Sequence, residues 1–150
     1  MVRKEEKEEC QKMFRNFLAA RGLKITRERE RILRQVMEKE GHFQVEELAI
    51  EMRAKKNPVS RATIYRTLEL LTEAGILRKI IAEGGARFEL GYGKGYHGHL
   101  ICLSCGRIIE FSLEELSKLE EKVVKKNRFL PKSRNLLIFG YCQTCQRKGR

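Results

Sequence analysis

The apolar positions of this chain change their period along its length. From Cys10 to Leu18 they fall at i, i+4, i+7 and i+8 (Cys10, Phe14, Phe17, Leu18), the stripe of an amphipathic helix that Arg21-Gly22 stops just after Ala20. Residues 1–9 precede it as a run of charge and read as a solvated lead-in. Thr26 is placed to cap a second helix whose inward side is Ile32, Leu33, Val36 and Met37, and Gly41 ends it. Val45, Leu48, Ala49 and Met52 make a third, closed by Asn57-Pro58. Ser60 caps a fourth that runs to Gly75. Its buried stripe is Ile64, Leu68 and Leu71, while Ala62, Tyr65, Arg66 and Glu69 face away.

The period then shortens. Ile76–Ile81 and Ala86–Leu90 read as strands joined across Glu83-Gly84-Gly85, a hairpin signal. Three helices followed by a hairpin predict a winged helix-turn-helix over residues 1–90. Residues 91–95, Gly-Tyr-Gly-Lys-Gly, form a flexible linker read as a hinge. Beyond it a strand runs through His97 to Ile101 and returns as Arg107–Phe111. Ser112-Leu113-Glu114-Glu115 has the form of a capping box, for a helix that buries Leu116, Leu119 and Val123 and ends near Asn127. Asn135–Tyr141 is a last strand, followed by a basic tail. The fold class expected is α+β, with residues 96–150 as a small α/β domain holding a three-stranded sheet.

Length sharpens this picture. Each half of a 150-residue chain is marginal alone, so a metal or a partner chain is expected to help. No apolar run approaches a membrane span and the N-terminus has no signal-peptide core, so a soluble, cytoplasmic protein is expected. The 32 Lys and Arg outnumber the 20 acids, a formal charge of +12, which favours polyanions and nucleic acid first among them. Both parts of the chain are basic, so bulk charge does not locate a binding face.

The candidate chemistry lies in His97-Gly-His-Leu-Ile-Cys-Leu-Ser-Cys105. Cys102-x₂-Cys105 and Cys142-x₂-Cys145 form two knuckles, and in a reducing compartment such pairs read as metal ligands. Two knuckles give a tetrahedral four-thiolate site suited to structural Zn²⁺, closed to substrate. His97 and His99 share one face of their strand. If the hairpin is centred on the knuckle, Glu110 on the return strand lies roughly opposite His99. Glu89 ends the preceding strand, and His42 sits between the second and third helices. Imidazoles with carboxylates make an N/O site that suits Fe²⁺, Mn²⁺ or Zn²⁺.

The fourth helix offers Arg61, Ala62, Thr63, Tyr65 and Arg66 to duplex DNA, with Ala62 and Thr63 small enough to approach thymine methyls. Lys24, Arg27, Arg29, Arg31 and Arg34 concentrate basic groups fit for phosphates. A zinc-dependent enzyme of nucleic acid is disfavoured, because no His-x-Glu stands before a Pro-Cys-x-x-Cys and a four-thiolate zinc has no open position. No small organic substrate and no membrane partner are expected. A constitutive nucleic-acid-binding zinc ribbon remains as a rival, but would not need His42, Glu89 or Glu110.

From about Gly22 to Cys145 the chain resembles the ferric uptake regulator family of metal-dependent repressors. The segments that carry the resemblance are Gly22-Leu-Lys-Ile-Thr26, Ala62-Thr-Ile-Tyr-Arg-Thr-Leu68, Gly84-Gly85 leading to Phe88-Glu89, and His97 through Phe111. The resemblance implies a homodimer with a C-terminal dimerisation domain, a repressor of operator DNA, and a regulatory metal held by His42, Glu89, His97, His99 and Glu110. It places Tyr65 and Arg66 in a major groove and Lys24 in a minor groove. Many members carry a further metal site whose positions here read Tyr96, Gly98, Ser117 and Arg134. This implies two metals per chain rather than three. Glutamate at 89 and 110, and no cysteine in the sensory set, point to Fe²⁺ sensing, with peroxide, manganese or zinc sensing as the alternatives on the same scaffold.

Overall fold

The computed structural model describes residues 3–131 and 134–149; residues 1 and 2 of the expected lead-in and residue 150 of the basic tail lie outside them. The chain divides into two compact units. One runs to Ile81 and resumes over Gly85–Lys94, and the other takes Ala82–Gly84 and the residues from Gly95 on.

The first unit holds helices α1 (Lys4–Ala20), α2 (Arg27–Met37), α3 (Val45–Ala54) and α4 (Arg61–Glu73), with strands β1 (His42–Phe43), β2 (Leu77–Ala82) and β3 (Gly85–Leu90) in the order β1-β3-β2. The caps expected from sequence are made: Thr26 Oγ1 accepts from the Arg29 amide at 3.2 Å and Ser60 Oγ from the Thr63 amide at 3.1 Å. The lead-in departs from expectation, because α1 begins at Lys4. The Arg3 amide donates to Glu6 Oε2 at 2.9 Å, and Glu, Lys and Gln are good helix formers, so a charged run becomes a capped first turn. Helical stripes and strand faces meet in one core, with Cys10, Phe14, Ile32, Val36, Leu48, Ile64, Leu68, Leu71 and Phe88 fully buried.

β1 was not readable from the sequence, since two residues carry no period. It pairs antiparallel with β3, setting Phe43 against Phe88 and His42 against Glu89. The segment after β3 stays fastened to this unit. The Gly91 and Tyr92 amides both donate to the Ile76 carbonyl (2.9 and 3.2 Å), and Arg78 Nη2 donates to the Lys94 carbonyl at 3.2 Å. A hydrogen bond to Glu9 pushes the Tyr92 phenol up to about 12.

The second unit is a three-stranded sheet ordered β5-β4-β6, built from β4 (His97–Cys102), β5 (Ile108–Ser112) and β6 (Leu137–Gly140), with α5 (Glu114–Lys126) and the short α6 (Gln143–Arg147). β4 runs antiparallel to β5 and parallel to β6. Two expectations fail here. Ser112 ends β5, and the N-cap of α5 is Leu113, without a side-chain cap. The apolar stripe of α5 is not buried: Leu119 and Val123 are 57% and 53% exposed. Amphipathic spacing reports that a face needs cover, not that this chain supplies it.

Candidate metal centres and nucleic-acid interface

The four cysteines converge. β4 delivers Cys102 at its end, and a tight turn closed by the Gly106 amide on the Cys102 carbonyl (2.9 Å) brings Cys105 back. Gly106 takes φ +69° there, a conformation a side chain would resist. β6 runs beside β4, with Gly140 opposite Cys102, and so carries the second knuckle to the first. All four sulfurs lie within 4.8 Å of one another, and Cys105 Sγ is 3.8 Å from Cys142 Sγ. Four thiolates at the Zn–S length of about 2.3 Å have S···S edges of about 3.8 Å, so this donor set fits Zn²⁺. The surrounding backbone already favours thiolate. The Cys142 amide donates to Cys102 Sγ at 3.4 Å, and with the Cys105 and Ser104 amides it lowers the Cys102 thiol to about 6. The Cys145 amide lowers Cys142 in the same way. The Ser104 hydroxyl acts to lower Cys145, but neighbouring sulfurs and burial outweigh it and leave that thiol at about 11.

The nitrogen and oxygen donors form a group in each unit. In the first, β1–β3 pairing sets His42 Nε2 3.2 Å from Glu89 Oε2, and Glu89 is fully buried with Arg78 Nη1 3.9 Å from its other oxygen. A buried carboxylate needs a cationic partner, and a divalent ion suits the pair. In the second unit, His99 stands opposite Glu110 in the β4–β5 register, whose centre falls one residue past the midpoint of the Cys102–Cys105 knuckle. Their ligand atoms lie within 4.8 Å of each other. The His97 ring is 4.8 Å from that of His99, and His97 Nε2 is 3.8 Å from Glu110 Oε2. His97 Nδ1 meets the Gly95 carbonyl at 2.9 Å. A carbonyl only accepts, so Nδ1 donates, and the tautomer this contact selects is the one that leaves Nε2 as the metal-binding nitrogen.

The positions of the further family site are otherwise occupied. A Cβ on Gly98 would lie 2.5 Å from Phe111 Cζ, so the aromatic ring fills that space. The Tyr96 hydroxyl donates to Glu120 Oε1 at 3.0 Å, Arg134 Nε is 3.8 Å from Glu120 Oε2, and the Arg134 guanidinium stands 5.8 Å from the Tyr96 ring centre. Ser117 Oγ donates to its own helix, at the Glu114 carbonyl.

On α4, Arg61, Ala62, Tyr65 and Arg66 are exposed, while Thr63 is half-buried with its hydroxyl accepting from Ser60. Lys24, Arg27, Arg31 and Arg34 are exposed as well; Arg29 is half-buried and donates to the Lys24 carbonyl. The sequence reading missed Lys79 on β2, which donates to Tyr65 Oη at 3.2 Å and to Glu69 Oε1 at 2.6 Å. The Glu69 hydrogen bond raises the Lys79 pKa, opposed by burial and aided by Tyr65. Helical spacing shows Tyr65 and Glu69 on one face, but nothing in the sequence names the strand residue that meets them.

Comparison with known proteins agrees with this architecture. The model of the ferric uptake regulator family matches residues 20–139. The ferric uptake regulation protein of Synechococcus elongatus is 38% identical over 133 residues, spanning 87% of this chain and 90% of that one. Among solved structures, the Helicobacter pylori ferric uptake regulator, a protein with three functional metal binding sites, superposes with a TM-score of 0.75 at 31% identity over 97% of each chain. The Pseudomonas aeruginosa regulator with manganese gives 0.71 at 30% identity, over 84% of this chain and 95% of that one. Fold, donor sets and matches together define a metal-responsive transcriptional regulator. The chain belongs to the ferric uptake regulator family.

Proposed function

We propose that this protein is an Fe²⁺-dependent repressor that binds operator DNA as a homodimer in the cytoplasm, and is a regulator rather than an enzyme. The observation that carries the reading is the sorting of donors. Four thiols gather at one point, while the imidazoles and carboxylates pair within each unit without any sulfur, His42 with Glu89 and His97 with Glu110. Thiolates select and retain Zn²⁺, whereas N/O donors suit Fe²⁺ or Mn²⁺ and exchange them. Cys102, Cys105, Cys142 and Cys145 hold structural zinc. His42, Glu89, His97, His99 and Glu110 hold the regulatory ion, which supplies positive charge and a coordination preference.

Residues 1–90 serve as the DNA-binding domain, 91–95 as the hinge and 96–150 as the dimerisation domain. Ligands drawn from both domains let the ion bias the angle between them, and so the spacing of two reading helices on adjacent half-sites. Arg61, Ala62, Thr63, Tyr65 and Arg66 contact the major groove and Lys24 a minor groove. The exposed apolar side chains of the second unit support a dimer: Leu119 and Val123 on α5, and Leu100, Ile109 and Ile138 side by side on the sheet. No described helix is long and apolar enough to cross a membrane.

The test is metal content and duplex-DNA affinity across anaerobic titrations with Fe²⁺, Mn²⁺ and Zn²⁺. The expected result is two metals per chain, one resistant to chelation, and affinity that rises with Fe²⁺. Affinity indifferent to all three ions would defeat the sensor reading and leave the constitutive zinc ribbon. A response to Mn²⁺ or peroxide but not to Fe²⁺ would move the protein to another branch of the family.

A further inference from the structure

We propose that Lys79 is a positioning residue for DNA readout: it fixes Tyr65 as a hydrogen-bond donor aimed at an acceptor on a base edge. The inference rests on the reading of α4 as the helix that meets DNA. Tyr65 and Glu69 lie one turn apart on α4, and Lys79 reaches both from β2. An ammonium has donors only, so at 3.2 Å the Tyr65 oxygen must accept from it. A phenol that accepts in this way still has its own proton to give, and that proton must point away from Lys79.

Three contacts hold the arrangement. The Lys79 ammonium stands 5.3 Å from the Tyr65 ring centre and 6.0 Å from that of the buried Phe88, which ties it to the core. Glu69 takes its charge at 2.6 Å. The Lys79 side chain is 21% exposed while Tyr65 is 43% exposed, so the tyrosine faces outward and the lysine braces it. A lysine already matched by a carboxylate is poorly placed to serve as a phosphate ligand. A tyrosine hydroxyl left to rotate can donate or accept. Held here, it donates, which suits thymine O4, guanine O6 or a purine N7 and does not suit the amino groups of adenine and cytosine.

The experiment selects duplexes from a random pool with the full-length, Mn²⁺-loaded protein. It then measures affinity for the selected site and its single base-pair variants with wild type, Lys79→Met, Tyr65→Phe and the double variant. Each single variant should bind the selected site about ten-fold more weakly, the scale of one hydrogen bond. Both should lose preference at the same base pair, and the double variant should lose no more than either alone, because the two groups act as one. The salt dependence should not change. Lys79→Arg keeps the donors and should keep the base preference; should Lys79→Met not fold, this variant and Tyr65→Phe carry the comparison. Lys79→Met weakening all duplexes alike, with the salt slope falling by about one, would make Lys79 a phosphate contact and overturn the inference. Unchanged base preference in Lys79→Met or Tyr65→Phe would also overturn it. Wild-type protein that binds no duplex with Fe²⁺, Mn²⁺ or Zn²⁺ would remove the DNA reading itself, and this inference with it.

Discussion

Replacing Gly98 by alanine isolates one packing contact beside the candidate ligands. Gly98 lies on β4 between His97 and His99, and its strand partner is Phe111. Its φ is not in the left-handed region, so the glycine is there for space. An added Cβ would sit 2.5, 2.8 and 3.0 Å from Phe111 Cζ, Cε1 and Cε2. Carbon atoms prefer about 3.5–4.0 Å, so the ring or the strand must move by roughly 1 Å. Overpacking of this kind costs about 1–3 kcal/mol. Loss of glycine's freedom in the unfolded chain returns about 0.4–1 kcal/mol. The net expectation is a destabilisation of about 1–2 kcal/mol in the second unit. Denaturant unfolding of the zinc-loaded protein measures it, with Phe111→Ala and the double variant completing a cycle. With the ring removed, Gly98→Ala should become neutral or mildly stabilising. Gly98→Ala as stable as wild type while Phe111 is intact would refute the reasoning, since the ring would then be moving aside at no cost.

Cys102→Ser should abolish zinc retention and the cooperative unfolding of the second unit, given apparent binding energies of about 10–16 kcal/mol for structural zinc; a folded, zinc-free variant seen by circular dichroism and metal analysis would contradict this. His97→Ala should keep the thiolate-bound zinc and lose metal-dependent DNA binding, so loss of both would show that the two sites are not separable. Zinc uptake should also release protons. Cys102, lowered to about 6, is thiolate at neutral pH, whereas Cys145, raised to about 11, is a thiol that must ionise on binding. Apparent zinc affinity should therefore rise with pH through the neutral range, and an indicator dye in weak buffer should report the released proton; uptake without proton release would contradict the assignment.

Features confined to a turn of helix or a tight hairpin were written in the sequence. Thr26 and Ser60 cap their helices because a side-chain oxygen needs only the amide three residues on. His99 meets Glu110 because a tight hairpin over the Cys102–Cys105 knuckle returns β5 beside β4, with its register centred one residue past the knuckle's midpoint, and the x₂ spacing of each cysteine pair already implied a shared ion. Tertiary structure alone decided the contacts between elements far apart in the chain. The two-residue β1 puts His42 opposite Glu89, yet has no period of its own to read. The parallel pairing of β6 with β4 joins the two cysteine knuckles, and such pairing depends on packing rather than on local spacing. Phe111 fills the space over Gly98, and Lys79 grips Tyr65 and Glu69. Periodicity tells which face of an element is apolar or polar. Which residue of another element arrives at that face is set when the elements pack, and among the described residues none of α5 is buried.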